Sequence, residues 1–278
     1  DLQVRQRYDL GPRLGDLQQP WYLYATGVVD TSPRGRLILR RTFHVTDVPA
    51  RCLLAMEAPG DFSVTVNGTP VGEPDGCWVD EDIHTIDITD WVAAGDNEIV
   101  QQCDYRPDIE IEDLYLVGEF GTVRRDSARP WRHDNVTLVA APTRLERGSW
   151  VGQGLAFYTG AVRYRLSVPR PDGDARMRVS LPGVSCTAAA VRVGDRVFRM
   201  PWAPFAVDIT DALADGDNEV LVEVVGGRHN TLGPLHQPWV AWTGPAQFGT
   251  EAPQFTDEYL LNDHGLTAGV QIETLQPQ

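Results

Sequence analysis

Between Gly226 and Trp242 the chain gathers Arg228, His229, Asn230, His236, Trp239 and Trp242, while Trp202 stands in a Pro-bounded loop, Met200-Pro-Trp-Ala-Pro-Phe205. Indole faces stack on apolar C–H surfaces, and planar guanidinium, amide and imidazole groups hold hydroxyls. The mixture suits a site with an apolar wall and a few polar groups, of the kind a neutral, hydroxyl-rich ligand needs. For each Trp alone, the simpler role is packing in a core or between modules. What favours a site is concentration in one long irregular stretch, which costs order without adding ladder hydrogen bonds.

Other chemistries are less well served. The six histidines are His44, His84, His133, His229, His236 and His264, and only His229 and His236 are close in sequence. A metal site there needs a third ligand, for which His264 is the one candidate, and hydrogen-bonded loop histidines are the simpler expectation. Asp108-Ile-Glu-Ile-Glu-Asp113 alternates, which would set Asp108, Glu110 and Glu112 on one strand face. A solvated face explains that run more simply than a catalytic or calcium-binding cluster. No nucleophile elbow, metalloprotease motif, phosphate loop or dinucleotide fingerprint occurs. Cys52, Cys77, Cys103 and Cys186 fit neither a zinc site nor a small disulfide framework. Cys52 and Cys103 both fall in predicted strands, where they could pair or stay as buried free thiols. The sequons at Asn67 and Asn135 are weak motifs.

Composition narrows the classes. A formal net charge of −15 argues against nucleic acid, whose phosphates need a basic face. All 24 basic residues are Arg, which high-GC coding or halophilic adaptation would each produce. Acidity suits a secreted or periplasmic protein acting on neutral ligands, without fixing the compartment. No run resembles a membrane span or signal peptide. The chain opens at Asp1 rather than Met, as a mature or excised piece of a longer protein would.

The elements that must carry these residues are written nearly twice. Asp87-Ile-Thr-Asp-Trp-Val-Ala-Ala-Gly-Asp-Asn-Glu98 returns as Asp208-Ile-Thr-Asp-Ala-Leu-Ala-Asp-Gly-Asp-Asn-Glu219, 208 − 87 = 121 residues later. That spacing matches a small domain. Asp87, Asp90, Asp208 and Asp211 then read as turn-forming and capping residues rather than catalytic ones. Leu39–Val45 pairs with Val162–Val168, each largely alternating bulky and polar residues as a half-buried strand does, with Arg41 the exception. Val64-Thr-Val-Asn-Gly-Thr69 loosely matches Val191-Arg-Val-Gly-Asp195, and Asn67-Gly68 is the strongest hairpin signal. Tyr115–Gly121 pairs with Tyr259–Gly265, at 259 − 115 = 144, so 144 − 121 = 23 extra residues lie in the second copy. No stretch of 12 residues shows helical periodicity, and an all-β fold follows.

The order of strand, Asn-Gly hairpin, Asp-Ile-Thr-Asp, Gly-Asp-Asn-Glu and strand resembles the galactose-binding-domain-like β-sandwich attached to many glycoside hydrolases. Asp113-Leu-Tyr-Leu-Val-Gly-Glu-Phe-Gly121, Gln153-Gly-Leu-Ala-Phe-Tyr-Thr-Gly-Ala-Val-Arg-Tyr164 and Arg228–His236 are similar to stretches from the C-terminal region of large bacterial α-L-rhamnosidase-type enzymes. The resemblance covers most of residues 35 to 275. It implies two tandem jelly-roll modules, residues 1–125 and 149–278, joined by a linker at 126–148, with an inserted loop at 226–256. Such a pair ordinarily sits beside a catalytic barrel that holds the acid and base, so no catalytic residue maps here. By analogy a structural calcium ion could sit at a sandwich edge, although no contiguous oxygen-ligand loop is evident.

The expected function is carbohydrate binding or accessory support for a glycoside hydrolase domain in the same parent protein. Ligand contacts would come from Trp202, Arg228, His229, Asn230, His236, Trp239 and Trp242. The rivals are a purely structural brace, and a self-contained glycosidase or lyase with carboxylates across a groove between the modules.

Overall fold

A computed structural model describes residues 1–13, 16–238, 249–250 and 254–276. The strands in chain order are β1 (Gly35–Val45), β2 (Cys52–Glu57), β3 (Ser63–Val66), β4 (Thr69–Pro70), β5 (Gly76–Trp78), β6 (Asp80–Asp87), β7 (Gly95–Tyr105), β8 (Tyr115–Gly118), β9 (Phe120–Arg124) and β10 (Val136–Ala140). They continue as β11 (Ala161–Pro169), β12 (Arg176–Ser180), β13 (Val184–Ser185), β14 (Ala188–Val193), β15 (Arg196–Met200), β16 (Ala206–Asp208), β17 (Asp217–Val225), β18 (Gly265–Leu266) and β19 (Gln271–Leu275). Helices are short: α1 (Leu2–Arg7), α2 (Pro20–Thr26) and α3 (His229–Leu232). The fold is all-β, as the periodicity predicts, and among the described residues no helix is long and apolar enough to cross a membrane.

The chain divides into two compact units, Asp1–Phe120 with Val136–Ala141, and Gly121–Asn135 with Pro142–Gln278. The stretch expected as a linker, 126–148, is therefore shared out. Its Val136-Thr-Leu-Val-Ala140 is a strand that pairs in parallel with β1, His44 opposite Thr137 and Val45 opposite Leu138. Burying Leu138 and Thr137 is what draws this segment into the first unit.

In the first unit, strands β4-β3-β7-β1-β10 form one sheet and β5-β6-β2-β8 another. Cys52, Leu54 and Met56 from β2 meet Val45, Val64, Val66, Ile99 and Leu138 in a single core. These residues recur at every second position, which turns one face of each strand inward. In the second unit, β11-β17-β14-β15 and β16-β12-β19 do the same. Val220, Val222 and Val224 of β17 are all 0% exposed, packed with Met177, Val179, Val191 and Trp150. Each fully buried Val contributes about 1.5–3 kcal/mol, so β17 is the spine of this core.

The repeated motif folds alike in both units. Asp87 Oδ1 accepts from Thr89 N at 2.9 Å and Thr89 Oγ1 at 2.6 Å, and Asp208 Oδ1 accepts from Thr210 N and Oγ1 at the same distances. Thr89 Oγ1 receives Cys52 N (3.0 Å), and Thr210 Oγ1 receives Met177 N (2.8 Å). Asn97 and Asn218 each close the following turn, accepting from Ala93 N and Ala214 N at 2.9 and 2.8 Å. These aspartates therefore organise turns. The Asn67-Gly68 hairpin forms between β3 and β4 with φ of 51° and 82°, as its sequence predicts.

Two expectations change. Residues 106–114 form no strand, and Asp108 is only 7% exposed rather than solvated. Its carboxylate accepts from Arg106 Nε (3.0 Å), Arg106 Nη2 (3.1 Å) and the Tyr24 hydroxyl. Burial pushes the Asp108 pKa up, but the Arg106 and Tyr24 hydrogen bonds outweigh it and hold the carboxyl below its usual range. Tyr259–His264 likewise forms no strand: Tyr259 N and Leu260 N donate to Trp131 O and Leu235 O in loops. Cys52 and Cys103 are free thiols, and burial pushes the Cys52 thiol up to about 12.

Candidate functional site

Register brings three loops to one end of the β11-β17-β14-β15 sheet. Val225 pairs with both Ala161 and Ala188, and Met200 pairs with Ala189. The segments before Ala161, after Val225 and after Met200 therefore all leave at that end. They carry Tyr158, Arg228 and Trp202. Trp202 is 74% exposed and Tyr158 40% exposed, and Arg228 is exposed as well. With strands about 4.8 Å apart, β17 and β15 are separated by about 10 Å with β14 between them, and β11 and β15, the strands next to Tyr158 and Trp202, stand about 14 Å apart at the two edges of the sheet. Tyr158 was not singled out in the sequence. The available signal was its position just before β11, the strand that pairs with β17 ahead of Arg228.

The other predicted residues serve the loop itself. Asn230 is 1% exposed, and its Nδ2 donates to Ala156 O and Asn262 O, both at 2.9 Å. Its Oδ1 accepts from Asn262 N at 2.8 Å. Both amide donors and the carbonyl are thus engaged within the protein. Next to it Thr231 Oγ1 donates to Phe157 O at 2.6 Å. His229 opens α3, and burial pushes its pKa down. His236 is half-buried, stacked on Phe255 at 5.1 Å, edge-on to Tyr259 at 5.3 Å, with Nδ1 2.8 Å from Thr256 O. Tyr259 and Trp131 both meet Phe157 edge-on, at 6.0 and 5.8 Å. These rings form a small secondary core of their own. Trp239 and Trp242 lie outside the described residues.

Trp150 is the hub behind this end. It is fully buried, its Nε1 donates to Tyr164 Oη at 2.7 Å, and its N donates to His264 O at 2.8 Å. Gly265 follows with φ of 121°, and a Cβ there would stand 2.7 Å from the Trp150 ring, so only glycine lets the chain pass.

Among the described residues no three His, Cys, Asp or Glu side chains gather as metal ligands. Two shallow clefts of about 440 and 390 Å³ lie at the repeated turns, one lined by Arg51, Asp87 and Trp91, the other by Gly194, Ala214 and Asn218. The second is at the opposite end of its sheet from Trp202. Chemically, the loop end offers two ring faces and a guanidinium to a ligand.

No protein-family model and no curated protein sequence matches the chain. Solved structures similar to it include the Streptomyces avermitilis α-L-rhamnosidase complexed with L-rhamnose (19% identity, 89% of this chain, 26% of that one, TM-score 0.29). A rhamnosidase from Novosphingobium sp. PP1Y is similar at 14% identity, over 90% of this chain and 25% of that one, with TM-score 0.32. A Faecalibacterium prausnitzii β-glucuronidase is similar at 13% identity, over 88% and 32%, with TM-score 0.29. The chain thus spans about a quarter to a third of the length of these glycoside hydrolases.

Proposed function

We propose that the chain is a non-catalytic accessory region of a glycoside hydrolase whose second unit binds neutral carbohydrate weakly, raising local substrate concentration. One observation supports the reading: a 74%-exposed indole, an exposed phenol and an exposed guanidinium leave the same end of one rigid sheet. An exposed Trp on a loop held by a β-scaffold is costly to solubility and suits stacking on a sugar face. Trp202 and Tyr158 would supply ring faces and Arg228 a hydroxyl partner. Trp239 and Trp242 would add rings from the same insertion, while Asn230 and His236 hold its described ends.

A second reading, a structural brace for a catalytic domain elsewhere in the same protein, draws on the same Trp202 and on Leu17 and Trp21 of the first unit, 66% and 62% exposed. Titrating the chain with neutral mono- and oligosaccharides separates the two. Binding that is lost in Trp202→Ala supports the site, and binding unchanged in both Trp202→Ala and Tyr158→Ala overturns it. A chain that binds no neutral glycan supports the brace.

A further inference from the structure

His264 is an anomaly in an otherwise well-paired region. Both its ring nitrogens are buried and neither makes a hydrogen bond. A buried polar atom without a partner is destabilising and calls for an explanation. The ring lies 6.4 Å from Trp150, and a Cβ on Gly227 would stand 3.1 Å from its Cε1, so the pocket is closed around it.

The ring sits in the middle of a strap, Asn262–Leu266, that fastens several elements of the second unit at once. Asn262 holds Asn230 of α3 through two hydrogen bonds. Asp263 O accepts from Ser185 Oγ at 2.6 Å, and His264 O accepts from Trp150 N at 2.8 Å. Gly265 and Leu266 pair with Ser185 and Val184. Releasing the strap would free α3 and the Arg228 loop together.

We propose that His264 makes this strap an acid-sensitive latch: a neutral imidazole lets it seat, and protonation drives it out and loosens the α3 loop. The charged groups that face the ring are Asp263 on its own segment and His229 on α3. Trp150, Gly227 and Ser185 lie near it without charge. Burial is the largest influence and pushes the His264 pKa down from 6.5. Asp263 opposes this, His229 adds to it, and a Ser185 backbone group, too poorly placed for a full hydrogen bond, opposes it weakly. The seated strap therefore binds fewer protons than the released one. The latch is fully closed above about pH 6.5 and weakens as pH falls from there toward the lowered pKa, by up to about tenfold per pH unit for one group. This device does not depend on the sugar reading.

The decisive measurement is hydrogen exchange of the intact chain between pH 7.5 and 5, corrected for intrinsic rates, together with an NMR titration of the His264 ring. Trp150 N–H should lose protection up to about tenfold per pH unit below about 6.5, while Ile99 in the first unit stays protected. The ring should titrate below 6.5. His264→Phe should hold the Trp150 amide protected across the range. A ring titrating at or above 6.5, pH-independent exchange at Trp150, or the same acid response in a folded His264→Phe would each overturn the latch. The wild-type titration and exchange decide the matter even if that variant does not fold.

Discussion

Asn230 and Asn262 hold each other across the long insertion: the Asn230 side chain donates to Asn262 O at 2.9 Å and accepts from Asn262 N at 2.8 Å. One amide thus imitates a strand partner for a residue 32 positions away. It ties α3 to the stretch that leads into β18, which makes α3 a fixed platform rather than a wandering loop.

Replacing that amide should therefore hurt more than a single hydrogen bond would suggest. Asn230→Ala strands Ala156 O together with Asn262 N and O, and we expect a loss of about 2–4 kcal/mol, read as a shifted urea midpoint with little change in slope. Asn230→Asp keeps the acceptor but sets a carboxylate oxygen against the Ala156 and Asn262 carbonyls in a buried site, and should cost at least as much as Ala.

The two turn threonines should behave as a matched pair. Thr89→Val and Thr210→Val each remove an acceptor for a backbone N–H, Cys52 N in one unit and Met177 N in the other. Each should cost about 1–2 kcal/mol in its own unit, measured by hydrogen exchange at those two amides. A large cost in one and none in the other would show that the two turns differ energetically despite equal geometry.

Asp108 should set the acid limit of the first unit. Its folded pKa is lowered, so its contribution is present above the ordinary value of 3.8 and is lost as pH falls below that value toward the folded pKa. Asp108→Asn should destabilise at pH 7 by about 2 kcal/mol, because Arg106 loses the nearer and more buried of its two carboxylate partners and keeps only Asp61 at 3.2 Å. The same variant should show a flatter stability curve below pH 4 than the wild type.

Trp202→Ala should leave thermal stability within about 0.5 kcal/mol of wild type, since the indole is 74% exposed and buries little. Its effect is expected in carbohydrate titrations alone. A marked drop in Tm would mean the ring packs in solution and is not a free platform.

Thiol reactivity should follow burial. Cys77 is exposed, Cys52 is fully buried with its thiol pushed up to about 12, and Cys186 is pushed up to about 11. An aromatic disulfide reagent at pH 8 should modify one thiol quickly in the native chain. Cys77→Ser should abolish that phase, and Cys52 should react only on unfolding.

Much of the scaffold was readable because its causes are local. Alternation in Leu39–Val45 and Val162–Val168, the positive φ demanded by Asn67-Gly68, and the two-residue reach of Asp87 to Thr89 all operate within a few residues, so residue order states them directly. The same locality misled at Asp108–Asp113. Alternation alone suggested a solvated strand, whereas Tyr24, 84 residues away, and Arg106 draw Asp108 inside.

The candidate site divides along the same line. Residue order determined the all-β character, the repeated turn chemistry and an insertion rich in rings and polar side chains. Only the tertiary structure sorted those side chains. Asn230 is consumed by backbone groups 74 and 32 residues away and His236 by Phe255 and Tyr259, while Trp202 and Arg228 are left facing water and Tyr158 is 40% exposed with its hydroxyl on Ala161 O and its ring edge-on to Trp150. The physical reason is that composition fixes what a side chain can bind, but long-range register decides whether the protein has already bound it.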